Sequence, residues 1–157
     1  MAEAGVTVRP ARLEDYQAAE SIMEQVHALH VGWCPDVYRP CKVVLPVEEY
    51  QQLIDTGRAF VAETDGKPVG ILHVNYRHIE GESHVTQNIV FADVVAVDEP
   101  YRGQGIGRAL LAHMKRLKEE KQLDGMMLQV NSRNQAALQM YERCGFVPWS
   151  INLKLKE

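Results

Sequence analysis

The chain has 157 residues, of which 46% are hydrophobic and 24% charged, and its formal net charge is −4. This is enough chain for one domain with a real core and too little for two ordinary ones, so residues 1–157 read as a single domain. The acidic balance and the lack of a basic stripe interleaved with aromatics argue against a nucleic-acid partner, and no run of 18 apolar residues offers a membrane span.

Residues 1–5 lack a basic segment followed by an apolar one, so no signal peptide is expected. Residues 6–9 alternate as a short strand ended by Pro10. Residues 13–31 place Tyr16, Ala19, Ile22, Met23, Val26, Leu29 and His30 on one helical face, with Glu14 and Asp15 in the first turn and Gly32 as a stop. Pro35, Pro40 and Pro46 break the next stretch, and a second helix covers 47–55. Residues 58–63 form a strand, Asp65-Gly66 a hairpin turn, and 67–78 a longer strand. After a polar loop at 80–84, residues 85–97 read as the central strand, long enough for a bend or bulge to be expected. Residues 126–130 form a fifth strand, buried by its composition, and residues 131–134 cap a helix over 135–143 that Gly145 ends. Residues 146–154 read as the last strand: Trp149, Ile151, Leu153 and Leu155 alternate with Ser150, Asn152 and Lys154. It suits pairing inside the sheet or across a homodimer. The order β-α-α-β-β-β-α-β-α-β makes a mixed sheet with helices on its faces.

The most informative stretch joins the central strand to the next helix. The apolar run ending Val95-Ala96-Val97 is followed by Pro100, then by Arg102-Gly103-Gln104-Gly105-Ile106-Gly107-Arg108, then by the helical stripe Ile106, Ala109, Leu110, Leu111, Met114, Leu117. A strand, a glycine-rich turn and a helix N-terminus aim free N–H groups and the positive end of a helix dipole at one spot. Such a spot binds phosphate, and the two arginines add charge. It is no P-loop, because no Gly-Lys-Ser/Thr follows, and the glycines are spaced G-x-G-x-G rather than G-x-G-x-x-G.

Two stretches then fall into register. Residues 102–107 fit (Gln/Arg)-x-x-Gly-x-(Gly/Ala). Asn134-Gln135-Ala136-Ala137-Leu138-Gln139-Met140-Tyr141-Glu142-Arg143-Cys144-Gly145-Phe146 fits Asn-x-x-Ala-x-x-x-Tyr-x-x-x-Gly-Phe. In this order and at this separation they resemble the GNAT superfamily of acetyl-CoA-dependent N-acetyltransferases, over a core of roughly residues 58–146. The resemblance implies an α/β (α+β) GNAT fold: a mixed central sheet of six to seven strands flanked by about four helices. It implies acetyl-CoA as donor, its pyrophosphate on the amides of Gly103, Gln104, Gly105, Ile106, Gly107 and Arg108, with Arg102 at the first motif position. It implies that Val95, Ala96 and Val97 pair through their main chain with the pantetheine arm. Asn134 and Ala137 belong to the cofactor contacts, and the Tyr141 hydroxyl points at the sulfur.

The chemistry of acetyl transfer also needs a proton acceptor, because an alkyl amine with a pKa near 10 is protonated at neutral pH. Asp93, a carboxylate in mid-strand, is the main candidate as base or as anchor for a cationic acceptor; by alternation it shares a face with Val95 and Val97. Glu82, His84 and His73 are rivals. His27, His30, Cys34 and Cys41 do not have zinc-ligand spacing, so no metal is expected. Cys144 reads as a buried small apolar residue, and three cysteines suit reduced thiols in a cytoplasmic protein. The aromatic and proline-rich residues Trp33, Pro35, Tyr38 and Pro40 read either as acceptor-site lining, as the resemblance implies, or as a packing loop. The expectation is an N-acetyltransferase acting on a small-molecule or peptide amine by direct attack in a ternary complex. The alternatives are a non-catalytic acyl-CoA-binding domain and an acyltransferase with another acyl donor or a hydroxyl acceptor.

Overall fold

The computed structural model describes residues 5–157; residues 1–4, read above for a leader, lie outside the described residues. The elements are β1 (Val6–Pro10), a 3-10 turn (Leu13–Asp15), α1 (Tyr16–Trp33), α2 (Val47–Asp55), β2 (Ala59–Thr64), β3 (Lys67–Gly81), β4 (His84–Val97), a second 3-10 turn (Glu99–Tyr101), α3 (Ile106–Glu120), β5 (Gly125–Leu128) and α4 (Gln135–Arg143). The strands form one sheet in the order β1-β2-β3-β4-β5. Strands β1 to β4 pair antiparallel in succession, and β5 lies parallel to β4. The parallel step follows from chain connectivity, since α3 carries the chain back along the sheet before β5 begins.

Among the described residues the sheet has five strands, not six to seven. Residues 146–154 join no ladder. Alternation gives a segment one apolar face, but a strand also needs an edge to pair with, and here that edge is not met. Strand β5 is half-buried rather than buried, and among the described residues no strand pairs with its outer edge. Helix α1 begins at Tyr16 and continues through Gly32 to Trp33, where the Cys34 N–H closes it on the His30 carbonyl at 2.8 Å. A helix interior tolerates glycine at a cost of about 1 kcal/mol, so Gly32 does not stop it.

Two apolar layers sandwich the sheet. On one face α3 and α4 cover Leu72, Val74, Val90 and Ala92 with Leu110, Met114 and Tyr141. On the other, α1 and α2 cover Val61, Ile71 and Ala96 with Ile22 and Tyr50. Helix α3 sits so close to β3 that a Cβ on Gly70 would lie 2.9 Å from Ile106 and 3.2 Å from Leu110. The β2–β3 hairpin turns at Asp65 and Gly66, with φ of 51° and 74°, the double left-handed geometry that Asp-Gly favours.

Two irregularities in β4 prepare the site. Its register with β3 shifts: His73 pairs with Val94 and Val74 with Ala92, so Asp93 is an inserted, bulged residue. Its ladder with β5 runs only from Ile89↔Gly125 to Ala92↔Leu128. From Asp93 to Val97, β4 is therefore held on the β3 side alone.

The first strand is tied to the α1 entrance by charge. The Arg9 guanidinium donates to both oxygens of Asp15 at 2.9 and 3.0 Å and to Glu63 at 2.9 Å, while the Arg12 N–H donates to Asp15 at 2.8 Å. Burial pushes the Asp15 carboxyl up, but the Arg9 guanidinium and the Arg12 amide outweigh it and hold the carboxyl below its usual range. A depressed folded pKa stabilises the fold above the unfolded value near 3.9, and that stabilisation is lost as pH falls through the folded value. Asp15→Asn is expected to cost about 2 kcal/mol at pH 7, because it removes charged hydrogen bonds and leaves the half-buried Arg9 with Glu63 as its remaining carboxylate partner. Urea unfolding at pH 7 and at pH 3 checks this: the gap between wild type and variant should shrink in acid, and a gap of the same size at both pH values counts against the assignment.

Candidate active site

The glycine turn starts where Pro100, in the 3-10 turn, carries the chain away from β4. Gly103 and Gly105 follow with φ of 76° and 84°, a left-handed backbone that side chains resist. No atom lies within 4 Å of a Cβ built on Gly103, so the turn opens to solvent. The first helical hydrogen bond of α3 runs from Ala109 to Gly105 at 3.1 Å. Among the described residues, the six amides from Gly103 to Arg108 donate to no backbone carbonyl, and no side chain caps the helix. The turn is a cradle of unused donors at a helix N-terminus, as an oxyanion such as a pyrophosphate requires.

Gly107 has a different reason to be glycine. A Cβ there would sit 2.7 Å from the Met140 sulfur, so its lack of a side chain lets α4 pack on α3. Arg102 turns back from the cradle: its Nε donates to the Val97 carbonyl at 3.0 Å and its Nη2 to Gln25 Oε1 at 3.3 Å. Gln25, on α1, also donates to Asp98 Oδ1 at 2.8 Å and accepts the Glu99 N–H at 2.9 Å. One helix side chain thus clasps the strand end and the turn. Sequence reasoning missed Gln25, since a glutamine on an amphipathic helix carries no motif. Arg108 lines a groove of about 620 Å³ with Ala112, Lys115, Met126 and Phe146.

The slot beside β4 adjoins this turn. Val95 and Val97 face the α3/α4 layer, and Val94 and Ala96 face the α1/α2 layer. The bulge corrects the face expected for Asp93. The inserted residue reverses the alternation, and Asp93 receives the Asn75 Nδ2 on both oxygens, at 2.7 and 2.8 Å, on the α1/α2 side of the sheet rather than beside Val95 and Val97. Asn75 in turn accepts from Arg77 Nε at 3.2 Å, and the Arg77 guanidinium lies 3.6 Å from the Phe91 ring centroid. Asp93 is solvent-exposed, which explains how a carboxylate is tolerated in mid-strand.

Tyr141 stands on the opposite face. It is 7% exposed, packs 6.0 Å from Phe146 ring to ring, and its hydroxyl makes no hydrogen bond among the described residues. Burial, with a smaller contribution from Cys144, pushes the phenol up to about 12, so it keeps its proton at neutral pH. Asn134 caps α4 by accepting the Ala137 N–H at 3.2 Å, which leaves its own amide nitrogen free and takes up the Ala137 donor. Gly145, at φ 96°, closes α4, with the Phe146 N–H on the Tyr141 carbonyl at 3.0 Å.

The rival bases lie elsewhere. Glu82 and His84 sit at the exposed tip of the β3–β4 hairpin, about 30 Å of strand from Asp93. His73 is 3% exposed beneath α2, its ring 6.1 Å from Tyr50, and neither its Nε2 nor the Tyr50 hydroxyl has a hydrogen-bond partner among the described residues. Cys144 is exposed rather than buried, because it follows the last turn of α4 on its outer side. At the end of α1, Tyr38 packs against His27 and His30, and Cys34 accepts from Asn131 Nδ2 at 3.5 Å. The 33–41 loop and the end of β5 thus flank the α1/α2 side of the slot.

Comparison with known proteins agrees with this architecture. The model of the acetyltransferase (GNAT) family matches residues 23–146. A mycothiol acetyltransferase of Thermobispora bispora is 37% identical over 103 residues, 63% of this chain and 33% of that protein. The chain spans 20 to 48% of the length of the mycothiol acetyltransferases it matches. An N-alpha-acetyltransferase of Sulfurisphaera tokodaii is 32% identical over 145 residues, 88% of this chain and 78% of that one. The solved structure of the aminoglycoside N-acetyltransferase AAC(6')-Iy in complex with CoA shares the fold, with a TM-score of 0.72 at 15% identity over 97% of this chain and 94% of that one.

The buried imidazole has a measurable signature. Burial pushes His73 down to about 4, only partly offset by Asp93. A histidine whose folded pKa lies below its unfolded value near 6.5 leaves stability intact above pH 6.5 and drains it as pH falls toward 4, by about 3 kcal/mol in all. His73→Phe should remove most of that loss. Thermal melts of both proteins at pH 7 and pH 4.5 read the difference; parallel declines would mean that His73 is not the group responsible.

Proposed function

The chain belongs to the acetyltransferase (GNAT) family, and from that premise we propose that it transfers an acetyl group from acetyl-CoA to a primary amine of a small molecule or peptide, by direct attack in a ternary complex. The observation that carries this reading is the run of free amides from Gly103 to Arg108 beside the strand edge left open from Asp93 to Val97. The amides suit a pyrophosphate, and the open edge at Val95, Ala96 and Val97 suits an extended amide-bearing arm that adds to the sheet. Bound there, acetyl-CoA supplies an activated thioester. The free amide of Asn134 and the exposed groove beside Arg108 provide further contacts on the same side.

The two faces of the slot then divide the work. Tyr141, protonated and on the α3/α4 side, donates a proton to the departing thiolate. An N–H of the open strand edge stabilises negative charge on the attacked carbonyl oxygen. Asp93, on the α1/α2 side, receives the amine as proton acceptor or as anchor for its positive charge. An α-amine, with a pKa near 8, costs about 1.4 kcal/mol to deprotonate at pH 7, whereas an alkyl amine near 10.4 costs about 4.6, so the α-amine asks less of any proton acceptor. The similarity to an N-alpha-acetyltransferase supports the same preference.

Tyr141→Phe tests the acid role. It should lower kcat by about 100-fold while leaving the KM for acetyl-CoA within about two-fold. Because the phenol is pushed up to about 12, the wild-type rate should show no alkaline fall from Tyr141 below about pH 10; an unchanged kcat in the variant removes Tyr141 from the reaction. Gln25→Leu tests the clasp. It should raise the KM for acetyl-CoA about five-fold with kcat nearly unchanged, since Gln25 orders the turn and meets no reacting atom. A loss confined to kcat would contradict that role.

A further inference from the structure

Arg77 is a cation without a counter-ion beside the slot. On β3 it follows His73 and Asn75 on the α1/α2 side of the sheet, and across the ladder it pairs with Ile89, whose neighbour on that side of β4 is Phe91. Among the described residues it forms no salt bridge, and its Nη groups make no hydrogen bond. An exposed arginine that swings freely in water would need no explanation, but this one is held. Its guanidinium lies 3.6 Å from the Phe91 ring centroid, well inside the roughly 6 Å reach of a cation–π contact. Its Nε donates to Asn75 Oδ1 at 3.2 Å.

Asn75 explains why this cation and Asp93 do not pair directly. A side-chain amide has one acceptor oxygen and one donor nitrogen. Here the oxygen takes the Arg77 Nε, and the nitrogen gives to both oxygens of Asp93 at 2.7 and 2.8 Å. The two charges fix the orientation of the amide, since a flipped one would set its NH2 against the guanidinium. The amide in turn keeps the charges apart. Two opposite charges in direct contact satisfy each other; with an amide between them, both remain exposed and able to take a third group. The guanidinium sits over Phe91, two positions before Asp93 on β4, so about 7 Å of strand separates the two charges.

The order of residues along β4 gives this pair a direction. Phe91 comes before Asp93, and the open edge at Val95, Ala96 and Val97 comes after it. An amine at Asp93 has the open edge on one side, and the rest of its own molecule extends on the other side toward Arg77. There it meets a planar fork of N–H donors held flat on an aromatic ring. That geometry receives a carboxylate in two parallel hydrogen bonds. Covering the Phe91 ring, which is 6% exposed, would take only an aliphatic chain and no charge.

We propose that Arg77 determines acceptor specificity: it binds a carboxylate of the acceptor, and the preferred acceptor is an amine that carries a carboxylate a few bonds away, as an amino acid or a peptide with an acidic first residue does. The inference rests on Asp93 as the partner of the amine in acetyl transfer. Three acceptors separate the sources of the carboxylate: free glutamine has only an α-carboxylate, Glu-Ala-amide only a side-chain one, and Gln-Ala-amide none. With the wild type, one of the first two should exceed Gln-Ala-amide about 10-fold in kcat/KM, and the one that does so names the source. Arg77→Gln should reduce that preference to about two-fold or less by raising the acceptor KM, with the KM for acetyl-CoA within about two-fold and the far-UV dichroism unchanged. A wild type indifferent to the carboxylate overturns the proposal, as does a preference that survives Arg77→Gln. Calorimetry with the same three compounds in the presence of CoA reads the contact without turnover. A carboxylate-dependent affinity that Arg77→Gln abolishes would uphold the site even if no amine were acetylated. Turnover without that difference in affinity would uphold acetyl transfer and reject the role of Arg77.

Discussion

Between Ala92 and Val94, strand β4 contains one residue that β3 does not match, and its ladder with β5 stops at the same point. A bulge sharpens local twist, so a parallel neighbour that follows β4 up to Ala92 diverges beyond it. The divergence leaves the β5-facing edge of β4 without a partner from Asp93 to Val97, while the β3 side stays paired. It also brings together the two apolar layers of the molecule: the α3/α4 face, with Tyr141 and the glycine turn, and the α1/α2 face, with Asp93, both border this slot. Closing the ladder would satisfy more hydrogen bonds and remove the site.

The surrounding packing holds that opening at fixed width. Gly70 lets α3 lie close on β3, and Gly107 lets α4 lie close on α3, so the helix that bears the cradle and the helix that bears Tyr141 are keyed to the sheet and to each other. From the opposite layer, Gln25 reaches past the sheet edge to Asp98, Glu99 and Arg102. The turn is therefore fixed from both layers, and its glycines can adopt left-handed geometry without making it loose.

The sequence disclosed these parts unevenly. The glycine turn, the Asn134 cap and the Tyr141 helix were legible because each depends on local chemistry: left-handed backbone, a capping oxygen, helical spacing. The element order was legible for the same reason. The face of Asp93 was not, because period-two alternation holds only while a strand stays in register, and one inserted residue inverts it. The hydrogen bond from Arg102 to Gln25 was not legible either, because Gln25 lies far away in sequence. The last strand failed differently. Its pattern is real, but pairing is a property of an edge as well as of a segment, and no amount of alternation says where the edge is.

The cradle contains no side chain that titrates near neutral pH. Its donors are peptide N–H groups and the end of a helix dipole, and neither gains nor loses a proton under conditions in which the protein is folded. A site built from lysines or histidines would bring its own acid-base equilibria to anion capture; this one does not. Under the proposed acetyl transfer, the pH profile on the protein side is thus written by the slot, and anion capture is left as a constant background.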